Sequence, residues 1–267
     1  MNKSVKAIFI ILIILFICIF CYAGYRILSP FFEEGGYIES AKNYEQIQQN
    51  YVKESSGKEK NNDGEVSHLF NPPQQDEICP IEVDFEALRQ QNSDVVGWVY
   101  CPDTVINYPI CQCDDNMWYL HRDINSNYSS YGTLFVDFQC QKDFDNYNTL
   151  VYGHHMNDGK MFAKLVDYKY QSYYQEHPVM YLLTPEMNYR IDIFAGYTTS
   201  MNSDTYMISF DSQENYANWL GQRIEMSDFK QESIVPDTNH ATITLSTCTY
   251  DYDDARYVIH GMLVPIH

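Results

Sequence analysis

Eight short β-rich stretches, each closed by turn-forming residues, constrain the fold more than any other feature of this chain. They read V-V-G-W-V-Y, V-I-N-Y-P-I, G-T-L-F-V-D, N-T-L-V-Y-G, P-V-M-Y-L-L-T, Y-R-I-D-I-F-A-G-Y, T-I-T-L-S-T-C and R-Y-V-I-H-G-M-L-V. Strands this short and closely spaced bury their apolar faces by closing on one another, so the expected fold class is mainly β, a barrel or a sandwich. The 24 tyrosines fit half-buried strands with a polar edge at water. Folded sequence begins near Ile81, where D-F-E-A-L-R-Q-Q-N offers an acid at the start of a short helix with Phe85 and Leu88 on one side. A second helix interrupts the strands: Q-E-N-Y-A-N-W-L-G-Q-R-I sets Tyr216, Trp219, Leu220 and Ile224 at helical spacing. A further short helix is expected at G-K-M-F-A-K-L.

The N-terminus makes a different prediction. From Ala7 to Tyr25 the chain runs 19 residues without a charge, a length that predicts a membrane-spanning helix. Lys3 and Lys6 precede it, so the expected arrangement is a single-pass protein of the cell membrane, N-terminus cytoplasmic and everything after Arg26 extracellular. Cys21 and Ala23 would suit a cleaved signal peptide, but the run exceeds a usual signal core, which favours an uncleaved anchor. From Glu33 to about Glu77 the chain is polar and broken, with a short helix possible from Ile38 to Val52 and linker composition in S-S-G-K-E-K-N-N-D-G and N-P-P-Q-Q-D-E. The expected organisation is residues 1–26 as cytoplasmic N-terminus and transmembrane anchor, 27–79 as extracellular stalk, and 80–267 as the folded domain.

The formal net charge is −19. Lys3, Lys6 and Arg26 are the charged residues of the first 26, so the acidity lies entirely beyond them. That argues against nucleic acid or an anionic lipid surface as the main partner. Six cysteines follow the apolar run: Cys79, Cys101, Cys111, Cys113, Cys140 and Cys248. If Cys248 stays free the rest cannot all pair, so mostly reduced thiols with at most one or two bridges are expected. Cys111-Gln-Cys113 is one residue short of C-x-x-C and no matched pair follows, so no zinc site is expected.

The chemistry concentrates near the C-terminus. In A-T-I-T-L-S-T-C, alternation puts Ala241, Ile243 and Leu245 on one face and Thr242, Thr244, Ser246 and Cys248 on the other. If the last two strands pair across T-Y-D-Y-D-D-A, Cys248 and Arg256 become neighbours at the hairpin mouth. A guanidinium there would favour thiolate and could hold a carbonyl oxygen. A lone strand-end cysteine is more often a small semi-buried hydrophobe, so a third group is needed. T-L-V-Y-G-H-H-M-N-D-G-K-M-F supplies it, a strand that ends at Gly153 and presents His154 and His155 on the rim of the sheet. His260 alternates within a strand and reads as structural, and His68 lies in the stalk.

T-L-S-T-C with Arg256, Y-G-H-H-M-N-D-G-K-M-F, W-V-Y-C-P-D-T-V-I-N-Y-P-I-C-Q and G-T-L-F-V-D together resemble the sortases, membrane-anchored cysteine transpeptidases of Gram-positive bacteria, and specifically class B. The likeness spans roughly Phe85 to Val264. It implies an eight-stranded sortase-type β-barrel with an N-terminal helix and a helix inserted between strands six and seven, here about Gln213 to Arg223. It further implies Cys248 as nucleophile, His154 as general acid/base, Arg256 as the residue that steadies the substrate carbonyl and its oxyanion, and Ser246 and Thr247 as groove-lining residues. His155 reads as a neighbour.

The implied reaction needs no metal or cofactor. Cys248 attacks the threonine carbonyl of an extended sorting signal, His154 protonates the departing amine, and the thioester passes to a second amine. The implied partners are the sorting-signal peptide of secreted surface proteins and an acceptor amine, from a peptidoglycan precursor or a pilin lysine. A pilin-polymerising sortase is therefore an alternative reading. A papain-type peptidase would place its cysteine before its histidine, the reverse of the order here. A non-catalytic binding module would leave Cys248 dispensable.

Overall fold

The computed structural model describes residues 3–55, 78–231, 234–249 and 251–266, with side chains described from residue 11 onward except 27–34. Both linker stretches fall largely, and His68 entirely, outside the described residues.

Eight strands close into one barrel. In chain order these are β3 (Val95–Tyr100), β4 (Asn107–Cys111), β5 (Leu134–Val136), β6 (Asn148–Tyr152), β7 (Val179–Leu183), β8 (Asn188–Ser200), β9 (Thr242–Cys248) and β10 (Ala255–Ile266), following a short pair, β1 (Val52–Glu54) and β2 (Ile81–Val83). Around the barrel the order is β10-β8-β7-β3-β4-β5-β6-β9. Most neighbours are antiparallel, but β4–β5 and β6–β9 are parallel. The eight expected strands are all present, and closure explains why such short strands suffice: no edge is left unpaired. Apolar side chains of alternate positions, among them Val99, Ile110, Leu134, Val151, Ile193, Ile243, Leu245 and Ile259, fill the interior.

Helix α1 (Lys3–Tyr51) ends against the barrel. Its Tyr44 and Ile47 are buried in the main core, Tyr44 donates its hydroxyl to the Gly132 carbonyl, and Gln48 donates to the Asn107 carbonyl at 2.7 Å. Helix α2 (Phe85–Gln91) is capped by Asp84, whose carboxylate accepts the Ala87 amide at 3.0 Å. Helix α3 (Gln171–Glu176) follows a 3-10 segment, Ala163–Lys169, that overlaps the end of the short helix expected at G-K-M-F-A-K-L.

The N-terminal expectation of a membrane span, and with it single-pass membrane localisation and an extracellular domain, is corrected. Among the described residues no helix is long and apolar enough to cross a membrane.

The inserted helix, α4 (Gln213–Met226), lies between β8 and β9, the sixth and seventh barrel strands. It buries Tyr216, Trp219, Leu220 and Arg223, and with Phe194, Ala195, Met262 and Val264 it forms a second apolar cluster outside the barrel wall. That cover changes the polar face of β9. Thr242, Thr244 and Ser246 alternate away from the barrel interior as expected, yet they too are buried. Thr244 donates to the Asn148 side-chain oxygen at 2.7 Å and meets His260 Nδ1 at 2.9 Å, while Tyr197 meets His260 Nε2 at 2.9 Å. A fully buried imidazole with both nitrogens engaged is a structural group, and burial, aided by nearby Arg223, depresses its pKa to about 3.

Candidate active site

The end of β9 is fixed from both sides. On one side it runs antiparallel to β10, with Cys248 opposite Arg256 and Thr247 opposite Tyr257. On the other it runs parallel to β6, with Tyr152 opposite Ser246. Beyond Tyr152 the pairing continues irregularly: the Gly153 amide donates to the Ser246 carbonyl at 3.1 Å, and the Thr247 hydroxyl donates to the Gly153 carbonyl at 2.8 Å. The chain from β6 therefore leaves alongside Cys248 carrying His154 and His155.

Gly153 is required at that exit by close approach. A Cβ there would stand 2.3 Å from Leu134 Cδ2 and 2.6 Å from Phe162 Cδ2. With no side chain the turn presses onto these core residues, and the Phe162 amide donates to the His154 carbonyl at 2.9 Å.

Each histidine then finds a backbone carbonyl. His155 Nδ1 lies 3.0 Å from the carbonyl oxygen of Cys248 and, as the proton-bearing nitrogen, clamps the main chain at that cysteine. His154 Nε2 lies 2.6 Å from the Leu120 carbonyl oxygen. That contact makes Nε2 the donor and leaves Nδ1 as the basic nitrogen. Leu120 belongs to the 3-10 turn Trp118–His121, which Gly132 (φ +59°) packs beneath: a Cβ at that position would meet the Leu120 and Tyr119 carbonyl oxygens at 2.5 Å. Burial lowers the His154 pKa below its ordinary value. The Leu120 carbonyl opposes that shift, and His121, stacked 5.8 Å away, adds to it.

Cys248, His154, Arg256, Ser246 and Thr247 all line one cavity of about 300 Å³. All five residues singled out from the sequence are thus brought together. Arg256 donates from Nη1 to the Ala255 carbonyl and from Nη2 to the Met201 sulfur, both at 2.9 Å. Ser246 Oγ lies 3.0 Å from the Tyr206 hydroxyl. Burial raises the Tyr206 pKa, with the Ser246 bond and the Arg256 charge acting against that rise.

The remaining wall is formed by Asn116, Leu120, Phe135, Tyr152, Met201 and Tyr206, none of them singled out from the sequence as a site residue. Asn116 is held in place by donating to Asp137 at 2.9 Å and accepting the Phe138 amide at 3.0 Å. Phe135 and Tyr152 lie within two of the motif stretches, G-T-L-F-V-D and Y-G-H-H-M-N-D-G-K-M-F, whereas Asn116, Leu120, Met201 and Tyr206 come from turns and 3-10 segments without periodicity. Among the described residues no group of His, Cys, Asp and Glu is arranged to hold a metal ion. A nucleophilic thiol, a partly buried neutral imidazole, a guanidinium and an open cavity are the components of acyl transfer.

Comparison with known proteins agrees with this architecture. Residues 99–264 match the family model described as the Sortase domain. Sortase B of Staphylococcus aureus is 27% identical over 263 residues, covering 96% of this chain and 95% of that protein. Sortase B of Listeria monocytogenes is 35% identical over 181 residues, 66% of this chain and 72% of that protein. The structure of a Staphylococcus aureus sortase B–substrate complex superposes with a TM-score of 0.64 at 30% identity, covering 68% of this chain and 84% of that chain.

Proposed function

As this chain belongs to the sortase family and is a class B cysteine transpeptidase, we propose that it cleaves a threonine-containing C-terminal sorting signal and transfers the acyl group to a peptidoglycan amine. In this reading residues 80–267 are the catalytic domain. The observation that carries it is the convergence of Cys248, His154 and Arg256 on one cavity, from three separate stretches of chain. The shared fold of the Staphylococcus aureus sortase B–substrate complex supports substrate binding by this chain.

The chemistry proceeds in two acyl transfers. His154, neutral because it is partly buried, takes the Cys248 thiol proton at Nδ1. The thiolate attacks the threonine carbonyl carbon, and the negative charge that develops on its oxygen is met by the Arg256 guanidinium. As the C–N bond breaks, the imidazolium returns its proton to the departing amine and leaves a thioester on Cys248. The peptidoglycan amine then attacks that carbonyl, the C–S bond breaks, and a proton passes from the amine through His154 back to sulfur. Ser246, Thr247 and Tyr206 line the groove that holds the peptide extended.

Intact-mass spectrometry with a small library of threonine-containing pentapeptides tests this. A covalent adduct equal to the N-terminal fragment on wild type, and none on Cys248→Ala, is the expected result. Adducts that do not depend on Cys248, or none with any member of the library, would refute it.

A further inference from the structure

Arg223 is a cation with nowhere to meet water. It sits on α4 at 1% exposure. Its guanidinium makes a two-pronged pair with Asp204, Nη1 to Oδ1 at 3.0 Å and Nη2 to Oδ2 at 3.1 Å. Further donors reach Thr205 Oγ1 at 3.2 Å and Gln222 Oε1 at 3.3 Å, and the rings of Trp219 and Tyr197 lie 5.2 and 5.9 Å from its central carbon. The Trp219 indole in turn donates to the Asp204 carbonyl at 2.9 Å. Arg223 is buried while the Asp204 side chain is 54% exposed, so the two-pronged pair ties a surface carboxylate to a buried cation and fixes one geometry.

What it fixes is the segment from Met201 to Tyr206. Asp204 opens the 3-10 turn Asp204–Tyr206, and the two flanking residues reach the cavity: Met201 through its sulfur on Arg256, and Tyr206 through its hydroxyl on Ser246. We infer that Arg223 and Asp204 are positioning residues that hold the Met201–Tyr206 wall of the cavity against the barrel, and so set affinity for the bound peptide rather than the reactivity of Cys248. The inference rests on the peptide-binding reading above. Neither residue touches Cys248, and no other carboxylate among the described residues pairs with Arg223.

Three variants in the full chain test it: Arg223→Lys, Arg223→Gln and Asp204→Asn, the last retaining the Thr205 and Gln222 contacts and both aromatic faces. Three quantities are read: the 13C-methyl resonance of Met201, KM and kcat for a cleavable peptide, and the alkylation rate of Cys248 by iodoacetamide. The Met201 methyl should shift and broaden. KM should rise about tenfold with kcat and alkylation within about twofold, the signature of lost uniform binding, and Arg223→Lys should be the mildest. An unchanged Met201 resonance and KM, with only the melting temperature lowered, would overturn the inference. So would a parallel fall in kcat and alkylation. If the wild type forms no acyl-enzyme, the functional reading fails on its own, and the Met201 resonance still decides whether the ion pair holds the wall.

Discussion

Arg256 stands directly opposite Cys248 in the antiparallel β9–β10 ladder. Register fixes this pairing more firmly than side-chain contact could, because the two residues form the last rung of the β9–β10 ladder, between strands locked into a closed barrel. The nucleophile and the cation thus keep a constant separation while the acidic connection between them is free to vary. Arg256→Ala should lower kcat/KM for peptide cleavage by about 100-fold or more, the scale of losing an oxyanion donor. Arg256→Lys should restore little, since an ammonium cannot reproduce the planar fork. Steady-state kinetics with a quenched fluorescent peptide measures both.

Removing the His155 clamp tests whether the main chain at Cys248 must be held. His155→Ala deletes the bond to the Cys248 carbonyl, worth about 1 kcal/mol. A several-fold loss in kcat with little change in fold by circular dichroism is expected.

Gly153→Ala drives a methyl into Leu134 and Phe162. Overpacking should cost about 1–3 kcal/mol in urea denaturation. Because the strain falls one residue before His154, acyl-enzyme formation should fall more than stability alone explains.

The depressed pKa of His154 places the acidic limb of the kcat/KM profile below the ordinary histidine value of about 6.5. A limb midpoint above that value would contradict the neutral-base role.

His260 makes a stability prediction of definite sign. Its folded pKa, near 3, lies below the unfolded value, so protons bind preferentially to the unfolded chain. Its contribution is complete above about pH 6.5 and is lost as pH falls toward the folded pKa, at up to about 1.4 kcal/mol per pH unit. Urea midpoints at pH 7 and pH 5 should differ by less in His260→Gln than in wild type.

Much of this architecture was legible because it is periodic. Alternation with turn residues marks all eight barrel strands, and helical spacing of Tyr216, Trp219 and Leu220 marks α4, whose end at Met226 lies slightly beyond the expected Arg223. Parity placed Thr242 and Thr244 correctly off the interior face, but not their burial, because nothing local says that α4 folds back over that face to join Asn148 and His260 into one polar network. Tyr206, Met201 and Leu120 reach the cavity only once the barrel closes, and their own neighbourhoods carry no pattern. The apolar N-terminal run pointed to a membrane span that no helix among the described residues provides.

The most direct test of the central claim is product analysis by mass spectrometry when the wild-type chain is given a threonine-containing sorting peptide and an excess of a glycine peptide amine. The account predicts a new peptide joining the threonine carbonyl to the added glycine, dependent on Cys248. Hydrolysed fragments alone, in the presence of saturating amine, would contradict it.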